Sequence, residues 1–158
     1  MAEKSGFSRA DSAYLLSGDA NASAYGTTEW TESNGAWRAT WPVSAKNFED
    51  GSLLLLMRIN PRRVSEPTVV LIVRGDDMRR VDVNGGHRGQ RFTHIQGANT
   101  SGGEVFTEAV GADFVEVEHS PALVSGETYR RVLQDSAKLF SVDVSAVDWT
   151  DPPEGATQ

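Results

Sequence analysis

Three apolar segments crowd into residues 53–83, and the links between them are too short to hold a helix. Residues 53–59 (Leu-Leu-Leu-Leu-Met-Arg-Ile) and 68–73 (Thr-Val-Val-Leu-Ile-Val) are strongly apolar, the second rich in β-branched side chains. The polar connection at 60–67 is punctuated by Pro61 and Pro67. Short runs of this kind read as central strands buried on both faces. Gly75, Asp76 and Asp77 then make a tight turn into residues 78–83, where Arg79, Val81 and Val83 alternate with Met78, Arg80 and Asp82. Parallel neighbours need a crossover of a dozen or more residues, so an antiparallel meander is expected.

The flanks add less regular signals. In residues 35–43, Trp37, Ala39, Trp41 and Val43 share one face while Arg38 and Thr40 point to the other, as in a strand. Pro42 suits the edge or end of that strand. Asn84-Gly85-Gly86 is the strongest turn signal in the chain, and a Gly/Ser/Asn loop occupies 97–103. Residues 114–118 read as a further strand with Phe114, Glu116 and Glu118 on one face. The best helix covers 125–140, with Tyr129, Val132, Leu133, Ala137 and Phe140 at helical spacing. Arg130, Arg131, Gln134, Asp135 and Lys138 cover its other side, Ser125 is a natural N-cap, and Glu127 suits the positive end of the dipole.

The expected architecture is one α+β domain: an antiparallel sheet of about five strands with the C-terminal helix packed on one face. Residues 1–34 form a polar N-terminal segment with a short helix at 8–16, which buries Tyr14 and Leu15 and stops at Gly18. The domain spans 35–147, and residues 148–158 form a flexible acidic tail containing Pro152 and Pro153.

Composition narrows the function classes. At 158 residues and 39% apolar, the chain has enough material for a single core and is not a disordered polymer. The absence of cysteine excludes a disulfide scaffold, a thiolate metal site and a thiol nucleophile. The first residues lack an apolar stretch of signal-peptide length, so a cytoplasmic setting without membrane contact is expected. The net charge of -7 opposes bulk coating of nucleic acid. That total hides an asymmetry: -3 for residues 1–57, +4 for 58–103 and -8 for 104–158. All the bases of the middle segment are arginine, the side chain suited to bidentate capture of phosphate or carboxylate. Solvated surface charge is the commoner fate of arginine, and it ranks first here.

One stretch concentrates chemistry. His87 and His94 lie seven residues apart, flanked by Arg88 and Arg91 and preceded by the glycine turn. Two imidazoles can act as general base and general acid on a phosphodiester, with arginine stabilising the developing charge. Together with Asp82 or His119 the histidines could also hold a metal ion, although the surrounding arginines disfavour a divalent cation. Neither a metal nor a cofactor is expected. No phosphate loop, dinucleotide fingerprint or HExxH motif occurs in the chain.

Val81-Asp-Val-Asn-Gly-Gly-His87, with Thr93-His94 and a later helix, resembles a poorly characterised group of small bacterial proteins. Their pattern runs Leu-Asp-x-Asn-Gly-x-His and then His-x-His. This chain departs at the pair, where it reads His94-Ile95-Gln96. The resemblance covers the middle third and the helix, and implies a family domain without specifying an activity.

Two functions from different classes remain. The first is a small acidic, non-enzymatic interaction protein, of the kind that serves phages and mobile elements as inhibitor or regulator. It would bind a basic or nucleic-acid-binding protein partner through Glu116, Glu118, Glu127 and Trp149. The second is a toxin-like, metal-independent ribonuclease or phosphodiesterase using His87 and His94 with Arg88 or Arg91, touching RNA or phosphate through the arginine-rich middle. Whether the chain is an enzyme is left open between them.

Overall fold

Two-residue reversals build the centre of the sheet. Strand β4 (Leu53–Asn60) turns through Pro61 and Arg62 into β5 (Arg63–Val73), with Asn60 opposite Arg63. Strand β5 turns through Arg74 and Gly75 into β6 (Asp76–His87), with Val73 opposite Asp76. Arg74 and Gly75 have φ of 47° and 88°, the left-handed pair that matches a reversal to strand twist. These distances and angles come from a computed structural model that describes residues 6–87, 90–98, 105–119 and 123–153. At residues 86, 87, 90, 91, 105 and 106 it describes the backbone alone.

The meander continues on both sides. Strands β7 (Gln90–Ala98) and β8 (Val105–Ala109) add antiparallel beyond β6. On the other side β3 (Ala36–Ser44) pairs with β4, and β1 (Ala22–Thr27) pairs with β3. A short β2 (Thr31–Ser33) joins β3 through Asn34 and Gly35, both at positive φ. After helix α2 (Gly126–Leu139), strand β9 (Val142–Asp148) returns to lie parallel to β1. The order β8-β7-β6-β5-β4-β3-β1-β9, with β2 beside β3, makes one nine-stranded mixed sheet.

The expected α+β sheet of about five antiparallel strands is thereby corrected: the protein is mainly β, with nine strands and two helices among the described residues. The extra strands carry weak or interrupted hydrophobic patterns. In β1 the inward residues are only Ala22 and Ala24, and β9 loses its alternation where the register shifts opposite Ser23 and Tyr25. Two further expectations change. Residues 114–118 form no strand; Phe114 and Val117 turn inward while Glu116 and Glu118 face solvent. Asn84-Gly85-Gly86 is not a reversal but a bulge within β6, where the register shifts between Asp82 and Gly85. The side chain of Asn84 explains the difference. At φ 51° it turns inward, and its Nδ2 donates to the carbonyls of Ser65 (3.0 Å) and Val117 (2.8 Å).

One face of the sheet carries the core. Ala39, Trp41, Leu55, Met57, Val69, Leu71, Val81 and Ile95 bury against Tyr129, Val132, Leu133, Ala137 and Phe140 of the α2 region. Each large side chain fully buried there contributes roughly 2 kcal/mol. Helix α1 (Arg9–Ser17) adds Leu15 and Leu16 to the same core. Ser125 caps α2 by accepting from the Thr128 amide at 3.1 Å, and Ser8 caps α1 in a reciprocal box with Asp11. Among the described residues no helix is long and apolar enough to cross a membrane.

Candidate functional site

The face of the sheet turned away from α2 carries the polar residues, and the strand register lines them up. Arg38, Arg58, Thr68, Asp82 and His94 are successive neighbours across β3, β4, β5, β6 and β7. Arg80 and Gln96 face each other one row on. Asp82 is the hub. Its Oδ1 accepts from Thr68 Oγ1 at 3.0 Å, and its Oδ2 accepts from Arg80 Nε at 2.9 Å and Gln96 Nε2 at 3.1 Å. His94 Nε2 lies 3.5 Å from the same Oδ2. The other ring nitrogen, Nδ1, is 3.1 Å from the Phe92 carbonyl, and the Phe92 ring lies beside the imidazole at 5.2 Å.

This placement decides what His94 does at rest. The residue is only 3% exposed, and both ring nitrogens face groups of the chain itself. Its imidazole is an internal member of the Asp82 network. The ladder places His87 opposite Gln90, four positions from His94 along β7, which separates the two backbones by about 13 Å at ~3.3 Å per residue. Arg91 stands opposite Gly86 in the same ladder. The side chains of His87 and Arg91, and Arg88 altogether, lie outside the described residues. Of the proposed metal ligands, Asp82 and His94 are neighbours, whereas His119 is exposed and lines a different groove. Among the described residues no group of three His, Asp or Glu side chains is placed to hold a metal ion.

The acidic candidates fall in three places. Glu116 and Glu118 project from an extended strap at 114–118 that is pinned at alternate positions. The Val115 amide donates to Asp135 Oδ2 at 2.8 Å, and the Val117 carbonyl accepts from Asn84. Both carboxylates line a groove of about 690 Å³ with Phe92, Thr93, Val110 and His119. Glu127 sits apart, exposed in the first turn of α2. Trp149 is engaged within the chain: its ring stacks on Trp41 at 6.4 Å and meets Trp30 edge-on at 5.9 Å. Its Nε1 donates to Asp151 Oδ1, and Trp30 Nε1 donates to the Thr150 carbonyl, so residues 149–151 dock on the sheet.

Sequence reasoning missed a groove between α2 and β9, of about 530 Å³. The polar side of α2 was read from the sequence, but β9 was not, so Arg130, Arg131 and Lys138 were not expected to look onto a strand. The recurrence of Val142, Val144 and Val147 behind the helix was the available signal.

No protein-family model, no curated protein and no solved structure matches the chain. The resemblance noted above rests on residues 81–94 and the later helix alone.

Proposed function

We propose that the protein is a non-catalytic interaction domain that docks a basic protein partner through its acidic strap. The observation that carries this reading is the strap itself. Backbone bonds at Val115 and Val117 hold Glu116 and Glu118 in place with their carboxylates exposed. A backbone ordered before binding loses little conformational freedom on association. Their excess in residues 104–158, -8 in all, provides long-range attraction for a cationic surface. A nucleic-acid-binding protein is the partner class with such a surface, and a cytoplasmic setting accords with it.

Affinity capture from the host tests the reading. The wild type retains a basic partner that raised salt releases, and the Glu116→Lys/Glu118→Lys/Glu127→Lys variant does not retain it. Unchanged capture by the variant overturns the proposal. So does RNA cleavage in EDTA that disappears in the His87→Ala/His94→Ala variant.

A further inference from the structure

Strand β9 ends the sheet: β1 pairs with one of its edges, and no described strand pairs with the other. Helix α2 runs alongside, and the groove between them has walls of opposite character. Val144, Val147 and Trp149 supply half-buried apolar surface, while Arg130, Arg131 and Lys138 stand exposed on the helix side. These are the only three bases among residues 104–158, and all of them border this groove. Arg130 and Lys138 make no ion pair among the described residues, and Arg131 reaches Asp135 only at 3.8 Å. Asp135 and Asp143 also border the groove, but each is engaged by a backbone amide: Asp135 by Val115, and Asp143 by Ser145.

We propose that this groove binds an extended acidic segment of a partner protein by strand addition to β9. An open strand edge supplies main-chain hydrogen bonds to any extended chain. The walls then select the side chains: apolar ones fit against Val144, Val147 and Trp149, and carboxylates fit against Arg130, Arg131 and Lys138. Charge complementarity therefore favours a segment in which Glu or Asp alternates with aliphatic residues. This surface is separate from the strap and prefers the opposite charge, so a partner with both basic and acidic regions could engage both. Asp143 guards the edge: its Oδ1 accepts from the Ser145 amide at 3.0 Å and its Oδ2 from Ser145 Oγ at 2.8 Å, leaving that donor unavailable.

The test is a titration of the full chain with a fluorescently labelled peptide of alternating Glu and Val, and with its Lys-for-Glu counterpart. The acidic peptide binds and perturbs the β9 amides by NMR, whereas the lysine peptide does not. Arg130→Glu/Lys138→Glu weakens binding at least tenfold with an unchanged circular dichroism spectrum. Asp143→Ala tightens it severalfold by freeing the Ser145 amide and removing a like charge. N-methylation of the peptide's alternate amides in the pairing register abolishes binding. Equal binding of the two peptides, an unaffected Arg130→Glu/Lys138→Glu variant, or full binding of both N-methylated registers overturns strand addition of an acidic segment. A dimer that the acidic peptide dissociates would assign the edge to a second copy of the chain and overturn it too. Glu116→Lys/Glu118→Lys leaves peptide affinity unchanged, which keeps this result distinct from the fate of the strap.

Discussion

Arg79 ties the sheet to the end of α2: from β6 it donates through an Nη to the Leu139 carbonyl at 2.8 Å and through Nε to the Ala98 carbonyl at 2.9 Å. The residue is 7% exposed and lies on the core side of β6, opposite Leu71 of β5. A cation at a helix C-terminus complements the dipole as well as an otherwise unpaired carbonyl. Arg79→Met fills the volume but leaves both carbonyls without this donor. We expect a loss of about 2 kcal/mol in urea unfolding. A variant as stable as the wild type would mean that the guanidinium only fills space.

The Asp82 network makes a second prediction. Asp82→Ala removes the acceptor of Thr68, Arg80 and Gln96 and the carboxylate beside His94. The expected cost is roughly 2 kcal/mol, with a shifted His94 ring resonance by NMR as the local readout. No change at either would show that the network does not constrain the imidazole.

Acid sensitivity should trace in part to Asp11. The Ser8 amide donates to its carboxylate at 3.0 Å and Arg74 approaches at 3.1 Å, so the amide bond first, with the guanidinium behind it, holds its pKa below the ordinary value. A depressed folded-state pKa contributes stability that is complete above the unfolded value and lost as pH falls through the folded one. The wild type therefore loses this contribution on acidification from about pH 5 downward, while Asp11→Asn shows a flatter acid limb. Solvent screening keeps the effect below about 1 kcal/mol. Ser8→Ala, which removes the hydroxyl that accepts from the Asp11 amide but keeps the Ser8 amide on the Asp11 carboxylate, costs about 1 kcal/mol at neutral pH. Parallel acid limbs for wild type and Asp11→Asn would contradict this assignment.

Gly97 is required by backbone geometry. It stands opposite Arg79 at φ 128°, and a Cβ there would run into the Met78 carbonyl oxygen and the Arg79 Cα. Gly97→Ala is expected to cost more than about 2 kcal/mol, because strain and clash act on one residue. Gly18→Ala, also at positive φ but with open space around it, should cost less. Equal thermal midpoints for the two variants would refute the close approach.

How much was legible follows from where each side chain spends its hydrophobicity. Leu55, Leu71 and Val81 announced their strands because buried aliphatic runs have few other uses. Ser125 marked the start of its helix because a hydroxyl at an N-cap has a local, pairwise role. Strand β1 was silent because alanines, not large residues, meet the core at Ala22 and Ala24. Asn84-Gly85 misled because the preference of asparagine for positive φ serves a bulge as well as a turn, and only the distant Ser65 and Val117 carbonyls decide which. The engagement of His94 was hidden because it depends on Asp82, which reaches it only through the register between β6 and β7. The acidic positions Glu116 and Glu118 were visible as charge, but their presentation by a pinned strap depends on Asp135 and Asn84, remote in sequence.

The most direct measurement of the central claim is a calorimetric titration of the captured basic partner, purified, into wild type and Glu116→Lys/Glu118→Lys at low and high salt. The account predicts wild-type affinity that weakens as salt rises, and a loss of at least about tenfold on charge reversal, with the fold intact. Equal affinity for both proteins at low salt would contradict docking through the strap.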